Sequence, residues 1–265
     1  MTLLRVTDRG LYCEAGDFFV DPWAAVDRAV VTHAHGDHVA WGCQSYLTSA
    51  PGAPVLRERL EPAARIRGLA YGGALDVGGV RVSLHPAGHI LGSAQVRLEH
   101  RGEVWVVSGD YKTEPDPTCT PWEPVRCHTF VTECTFGLPI YRWPDHLAVV
   151  GDIHAWWRAN QASGKASLLY GYALGKAQRL IAALDPSIGP ILTHGAVERM
   201  TRVSIVGSPA TAREQLYSLI AQTGADEIIA TAQIHDHTAR VRSFELAANV
   251  FRDVNTPAQH RAIMT

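Results

Sequence analysis

No stretch of the chain approaches the roughly 18 consecutive apolar residues of a membrane span, and the opening MTLLRVTDRGLYCEAGD lacks the basic-then-apolar layout of a signal peptide. The expected setting is therefore the cytoplasm, with no membrane partner. Cysteine is scarce. The five residues Cys13, Cys43, Cys119, Cys127 and Cys134 are an odd number with no CxxC pair, which argues against a disulfide framework and against a thiolate zinc site. Charge is low as well, at 19% of 265 residues with a net of −2, so a nucleic-acid partner would have to meet a local basic surface. Repeats, charge runs and low-complexity linkers are absent. What remains is a 46% apolar chain, enough for a sizeable core in one large domain or two smaller ones. Against these scarcities stands histidine, with 13 residues, several of them clustered. Imidazole is the commonest metal ligand, so this excess points to metal chemistry.

Before Asp145 the chain reads mostly as short strands bounded by Gly, Pro and Asp. Strand-like segments are FFVD (18–21), RAVVTH (28–33), VRVSLH (80–85), SAQVRLEH (93–100), EVWVVSGD (103–110) and TFVTE (129–133). Several end in Asp or His, where a rigid strand frame holds a ligand at the open edge of a sheet. Helical patterns are expected at Ala53 to Gly68 and at Asp145 to Ser163. A strand-helix-strand run over SLLYGYA (167–173), GKAQRLIAAL (175–184) and GPILTH (189–194) has the alternation of a βαβ unit. Beyond Met200 the reading is a helix capped by Ser208 and Pro209 and ended by Gly224, a strand EIIATA (227–232), and a helix from Thr238 to Phe251.

The chemistry concentrates in THAHGDH, Thr32 to His38, directly after the apolar run Ala29 to Val31. Four potential ligands fall within six residues. In an irregular loop His33 and His35 can converge on one metal while Asp37 and His38 turn to a second. A dinuclear site needs further ligands, and His89 in the loop HPAGHILGSAQ and Asp110 at the end of VVSGD sit in suitable places. Taken singly, either would be read as a turn or capping group. A carboxylate such as Asp110 can bridge two divalent ions.

In order and approximate spacing, Asp21, THAHGDH, His89 and Asp110 resemble the first four motifs of the metallo-β-lactamase superfamily. HPAGHILGSAQ, SGDYK, TECTFGLPIY and GYALGKAQRL narrow the resemblance to its β-CASP nuclease branch, and to the bacterial ligase-associated DNA exonucleases. The resemblance covers about residues 1–200. It implies an α/β (α+β) fold, a four-layer αββα sandwich at 1–144 with a partial β-CASP cap at 145–200. It implies hydrolysis of phosphodiesters with two divalent metals, zinc or manganese, on DNA more than RNA, beside a DNA ligase and helicase repair system. Carried over, His33, His35 and His89 hold one metal, Asp37 and His38 the other, and Asp110 bridges. Asp21, Asp37 and Glu133 belong to the catalytic set, with Asp21 and Glu133 orienting the histidine loop. Gly175 and Lys176, at a helix start, could receive a backbone phosphate, or could equally be packing and a solvated lysine. Arg57, Arg59, Arg65 and Arg67 make a basic stretch that reads first as a solvated helix face with Glu58 and Glu61 interleaved. Trp156 and Trp157 could stack on bases, but at helical spacing beside Ile153 they read as core.

The family pattern then breaks. An SDHADW-like segment with the general acid and a VTHG-like segment with the last ligand do not occur in the sequence. Residues 204–251 instead resemble the C-terminal end of luciferase-like flavin monooxygenases, an atypical helix-strand-helix tail within 201–265. So short a fragment cannot close a barrel, so no flavin site is expected. The chain reads as bipartite, joined near 200–204, as a fusion, a rearranged frame or an assembly artefact would produce. His235 or His237 could occupy the vacant ligand position. Two functional classes follow: a two-metal nuclease with impaired activity, or a catalytically inactive metal- or nucleic-acid-binding remnant.

Overall fold

The computed structural model describes residues 2–204, 227–230 and 261–264. The chain forms two compact units, Met1–Ile205 and Val206–Thr265. Among the described residues no helix is long and apolar enough to cross a membrane.

The first unit is built on two sheets. One has six strands in chain order: β1 (Arg5–Thr7), β2 (Gly10–Cys13), β3 (Phe18–Val20), β4 (Arg28–Val30), β5 (Ser45–Ser49) and β6 (Ile66–Leu69). Its first three strands are antiparallel neighbours and its last four, from β3 to β6, run parallel. The other has five strands: β7 (Ala74–Val77), β8 (Val80–Pro86), β9 (Ala94–His100), β10 (Glu103–Val107) and β11 (Thr129–Val131). Here β7 to β10 are antiparallel and β11 adds parallel to β10. Alternation along these strands supplies one apolar face each. Phe18, Val20, Val30 and Leu47 of the first sheet and Val82, Leu84, Val96 and Leu98 of the second are buried in one cluster, so the sheets pack face to face. On the other face of the first sheet, Ala29, Val31 and Tyr46 pack with Val55 and Leu56 of α1 (Gly52–Arg57). Among the described residues, the loop 111–128 meets the outer face of the second sheet: Gln95 Nε2 donates to the Glu123 carbonyl at 2.7 Å and His85 Nδ1 lies 2.8 Å from Glu123 Oε1. A second helical layer on that face is not formed by these residues.

The two sheets are stapled where the β8–β9 turn meets the start of α1. Ser49 Oγ donates to the Gly92 carbonyl at 2.6 Å and accepts from Gly52 N–H at 3.0 Å. Gly92 has φ +76°, and a Cβ on it would lie 2.1 Å from Gly52 Cα, so only glycine permits the approach.

Three more helices follow: α2 (His146–Ala162), α3 (Lys176–Ala183) and α4 (Gly195–Ser204). Asp145 caps α2, its side chain accepting from Ala148 N–H at 3.0 Å. Helix α4 packs against α1 and α3. Helix α3 is tied down by the buried Asp116, which meets Arg179 Nε at 3.4 Å and Lys112 Nζ at 3.9 Å.

Several expectations require correction. The helical reading of Ala53 to Gly68 holds only for α1. Arg57 Nη1 donates to the carbonyls of Pro62 at 3.3 Å and Ala64 at 2.5 Å, which folds the chain back so that Ile66–Leu69 pairs with β5. SLLYGYA and GPILTH are not strands, so the βαβ unit is absent: Leu168, Tyr170, Tyr172 and Leu192 are exposed and no sheet receives them. Trp156 and Trp157 are not core residues. Trp156 is exposed, Trp157 is half-buried, and no residue of α2 is buried.

In the second unit β12 (Glu227–Ala230) pairs in parallel with β13 (Arg261–Met264), which places Glu227 to Ala230 of the expected strand on a strand. The helices expected around it, with Ser208, Gly224, His235 and His237, lie outside the described residues.

Candidate metal centre

The site assembles at one edge of the sandwich. Asp21 follows β3, the THAHGDH loop follows β4, Asp110 follows β10 and Glu133 follows β11. His89 follows β8, which runs in the same direction as β10 because both are antiparallel to β9. Every candidate ligand therefore emerges from the C-terminal end of a paired strand.

Three imidazole nitrogens and one carboxylate oxygen converge. His33 Nε2 lies 2.9 Å from His35 Nδ1 and His89 Nε2 lies 3.2 Å from the same atom. Asp110 Oδ2 is 3.7 Å from His33 Nε2 and 3.5 Å from His89 Nε2. These four residues each offer a ligand atom within 4.8 Å of the others. A tetrahedron with bonds of ~2.0–2.1 Å has edges of about 3.3 Å, so the spacing fits a single divalent ion.

Hydrogen bonding around the ring settles which nitrogens face inward. Asp21 Oδ2 accepts from Thr32 Oγ1 at 2.6 Å, which leaves that hydroxyl to accept from His33 Nδ1 at 3.1 Å. The lone pair of His33 is then on Nε2. His35 Nε2 donates to the Leu174 carbonyl at 3.2 Å, which can only accept, so the lone pair of His35 is on Nδ1. Two lone pairs 2.9 Å apart repel unless a cation lies between them. Burial holds His33 well below the usual imidazole range and also lowers His35 and His89. Neutral imidazole is the form that binds metal.

The other oxygen of Asp110 faces a second set. Asp110 Oδ1 is 3.3 Å from His38 Nε2, and Asp37 Oδ2 is 3.9 Å from the same nitrogen. His38 Nδ1 donates to Asp21 Oδ2 at 2.7 Å. Burial opposes a charge on His38, but hydrogen bonds to Asp110 and Asp21, with their charges, push its pKa up to about 10. The hydrogen bond from His38 holds Asp110 below the usual carboxylate range, against the opposing effect of burial. Asp21 thus serves both sets. It adopts φ +43°, tolerable for aspartate, and also accepts Thr32 N–H at 2.8 Å. A cleft of about 400 Å³ opens here, lined by Asp21, Asp37, His38, Asp110 and Glu133 among others.

Other sequence candidates fall differently. Glu133 is half-buried in the cleft wall, its Oε2 accepting from Thr135 N–H at 2.8 Å. That bond ties it to its own turn; the structure shows no hydrogen bond from it to the histidine loop. Gly175 N–H donates to Gln178 Oε1 at 2.7 Å, so it is engaged within the start of α3 and is not open to a phosphate, and Lys176 is exposed. What Gly175 does supply is closeness: at φ +89° a Cβ on it would lie 2.5 Å from Ile90 Cγ2 and 3.7 Å from His35 Nε2. Sequence reasoning missed Thr32 and Leu174. Thr32 could have been found as the hydroxyl preceding the first histidine. Leu174 could not, because a backbone carbonyl leaves no side-chain signal.

No protein-family profile matches the chain. A probable DNA ligase of Opitutus terrae is 35% identical over 198 residues, 73% of this chain and 19% of that protein. An endoribonuclease of Yarrowia lipolytica is 27% identical over 168 residues, 60% of this chain and 20% of that protein. A luciferase-like monooxygenase of Escherichia coli is 46% identical over 67 residues, 25% of this chain and 20% of that protein. The chain thus spans about a fifth of the length of each of these relatives. Motifs, site geometry and relatives together show a chain that resembles the metallo-β-lactamase superfamily in its β-CASP branch, with a further likeness to luciferase-like monooxygenases.

Proposed function

We propose that the chain is a metal-dependent phosphodiester hydrolase of the nuclease type, acting on DNA ends. The observation that carries this reading is the division of Asp110 between two sets, with His33 and His89 on one oxygen and His35 grouped beside them, and His38 on the other oxygen with Asp37 near His38. His33, His35 and His89 would hold one divalent cation and His38 with Asp37 a second, with Asp110 offering an oxygen to each. Two relatives, one named as a DNA ligase and one as an endoribonuclease, support a nucleic-acid substrate. The likeness to ligase-associated exonucleases favours DNA and a ligase-linked repair role.

Zinc or manganese ions bound here would polarise a phosphoryl oxygen and lower the pKa of water. The chain's own part is preorganisation. Asp21 fixes the tautomer of His33, through Thr32, and orients the ring of His38 directly. Leu174 does the same for His35. Asp37 faces solvent at the cleft, where an incoming strand would meet it. A remnant that binds metal or nucleic acid without turnover is the second reading, favoured by the absence of the SDHADW-like and VTHG-like segments. His235 or His237 is a candidate to supply the ligand of the missing segment.

The test is metal content per chain together with hydrolysis of end-labelled DNA and RNA, against His33→Ala. Two metals in the wild type, fewer than one in the variant, and at least a 100-fold gap in DNA hydrolysis are expected. Equal residual activity in both chains would exclude catalysis, and retained metal with salt-sensitive DNA binding would leave the second reading.

A further inference from the structure

The basic stretch 57–67 contains one arginine unlike the others. Arg57 has its guanidinium spent on the carbonyls of Pro62 and Ala64, and Arg65 and Arg67 are exposed. Arg59 is half-buried, and its Nε is buried with no hydrogen-bond partner. Among the described residues no carboxylate forms an ion pair with it. Burial strips Nε of water without supplying an acceptor, which leaves one donor of the guanidinium unsatisfied, although the charge of Asp37 favours the cation.

Its location supplies a reason. Arg59 Nη1 lies against the metal-ligand loop, 3.8 Å from where a Cβ on Gly36 would stand. Gly36 separates His35 from Asp37; the Arg59 charge disfavours protonation of His33 and His35, while Asp37 favours the charge on Arg59. A cation beside a cluster of candidate metal ligands works against binding cations there and favours an anion held next to them. Guanidinium offers a planar fork that matches two phosphate oxygens, a pairing that gains strength where water is partly excluded.

We infer that Arg59 is a phosphate-recognition residue of this site, its guanidinium taking a non-bridging oxygen of the nucleic-acid backbone as the strand enters past Gly36. The inference rests on the nuclease reading above and gives it the group that grips the substrate. Arg57 acts as the tether that turns the chain after α1 and so presents Arg59 to the loop.

The experiment uses the full metal-loaded chain and fluorescent phosphorothioate 20-mers of DNA and RNA, read by anisotropy across a salt series. Arg59→Ala is expected to weaken binding about 10- to 100-fold and to reduce the salt slope by about one, with metal content and melting unchanged. Arg59→Lys keeps the slope but recovers only part of the affinity, and Arg67→Ala changes neither. Wild-type binding by Arg59→Ala, or an equal loss in Arg67→Ala, overturns the inference alone. Loss of metal or early melting in Arg59→Ala makes the residue structural and overturns it too. A metal-loaded wild type that binds neither oligonucleotide overturns both this inference and the nuclease reading.

Discussion

The two-sheet sandwich up to Val131 and the segment from Thr132 to Ala173 use similar residue types to opposite effect. In the sandwich, Phe18, Val20, Val82, Leu84, Val96 and Leu98 are almost entirely buried because strand pairing on both sheets turns alternate residues onto one shared face. In the later segment Phe136, Tyr141 and Trp143 contact one another, with centroids 5.1 to 6.5 Å apart, yet all three stay exposed. Helix α2 has a capped start and 17 residues, and buries none of them. Apolar content does not by itself make a core; a pairing partner or an opposed face does. The candidate metal ligands all rise from the first kind of region, which keeps them in register.

Substitutions can break or sharpen this contrast. The largest effect is expected at the staple between the sheets, where Gly92→Val would drive side-chain atoms into the Gly52 backbone, already 2.1 Å from a bare Cβ. A loss of at least about 4 kcal/mol is expected, seen as insoluble protein or a collapsed denaturation midpoint. A near-normal midpoint would show that the two sheets are less tightly keyed than their geometry indicates. Leu84→Ala, at a fully buried position, should cost about 2–5 kcal/mol in urea unfolding. Trp156→Ala should fall within about 0.5 kcal/mol of wild type despite removing a much larger side chain, since the ring is exposed. A cost of several kcal/mol at Trp156 would mean that α2 has a packing partner, and the contrast would fail.

Legibility in the sequence followed the same division. The strands at 18–20, 80–86, 94–100, 103–107 and 129–131 were readable because burial on one face imposes period two. The candidate ligands stood out because His33, His35, Asp37 and His38 are crowded beyond any structural need, and the structure groups His33 and His35 with His89 and Asp110. Residues 66–69 were not, since IRGL has no period long enough to separate strand from helix, and its pairing with β5 is a tertiary fact. SLLYGYA looked like a strand for the converse reason: it has strand composition and no sheet to join. Arg59 stood out only as one of four arginines, because what distinguishes it is the partner it lacks.

The hydrogen bond from His35 to Leu174 spans 139 positions of chain. A ribosome making this protein completes both sheets and every metal ligand in the described residues well before Leu174 emerges. Until then no carbonyl accepts from His35 Nε2, so the ring could turn either nitrogen toward His33 and His89. The candidate centre is therefore timed as well as placed: its last setting arrives with the segment that buries Leu174 against Ile90, and a nascent chain stalled short of that point would have the candidate ligands of the described residues but not their final arrangement.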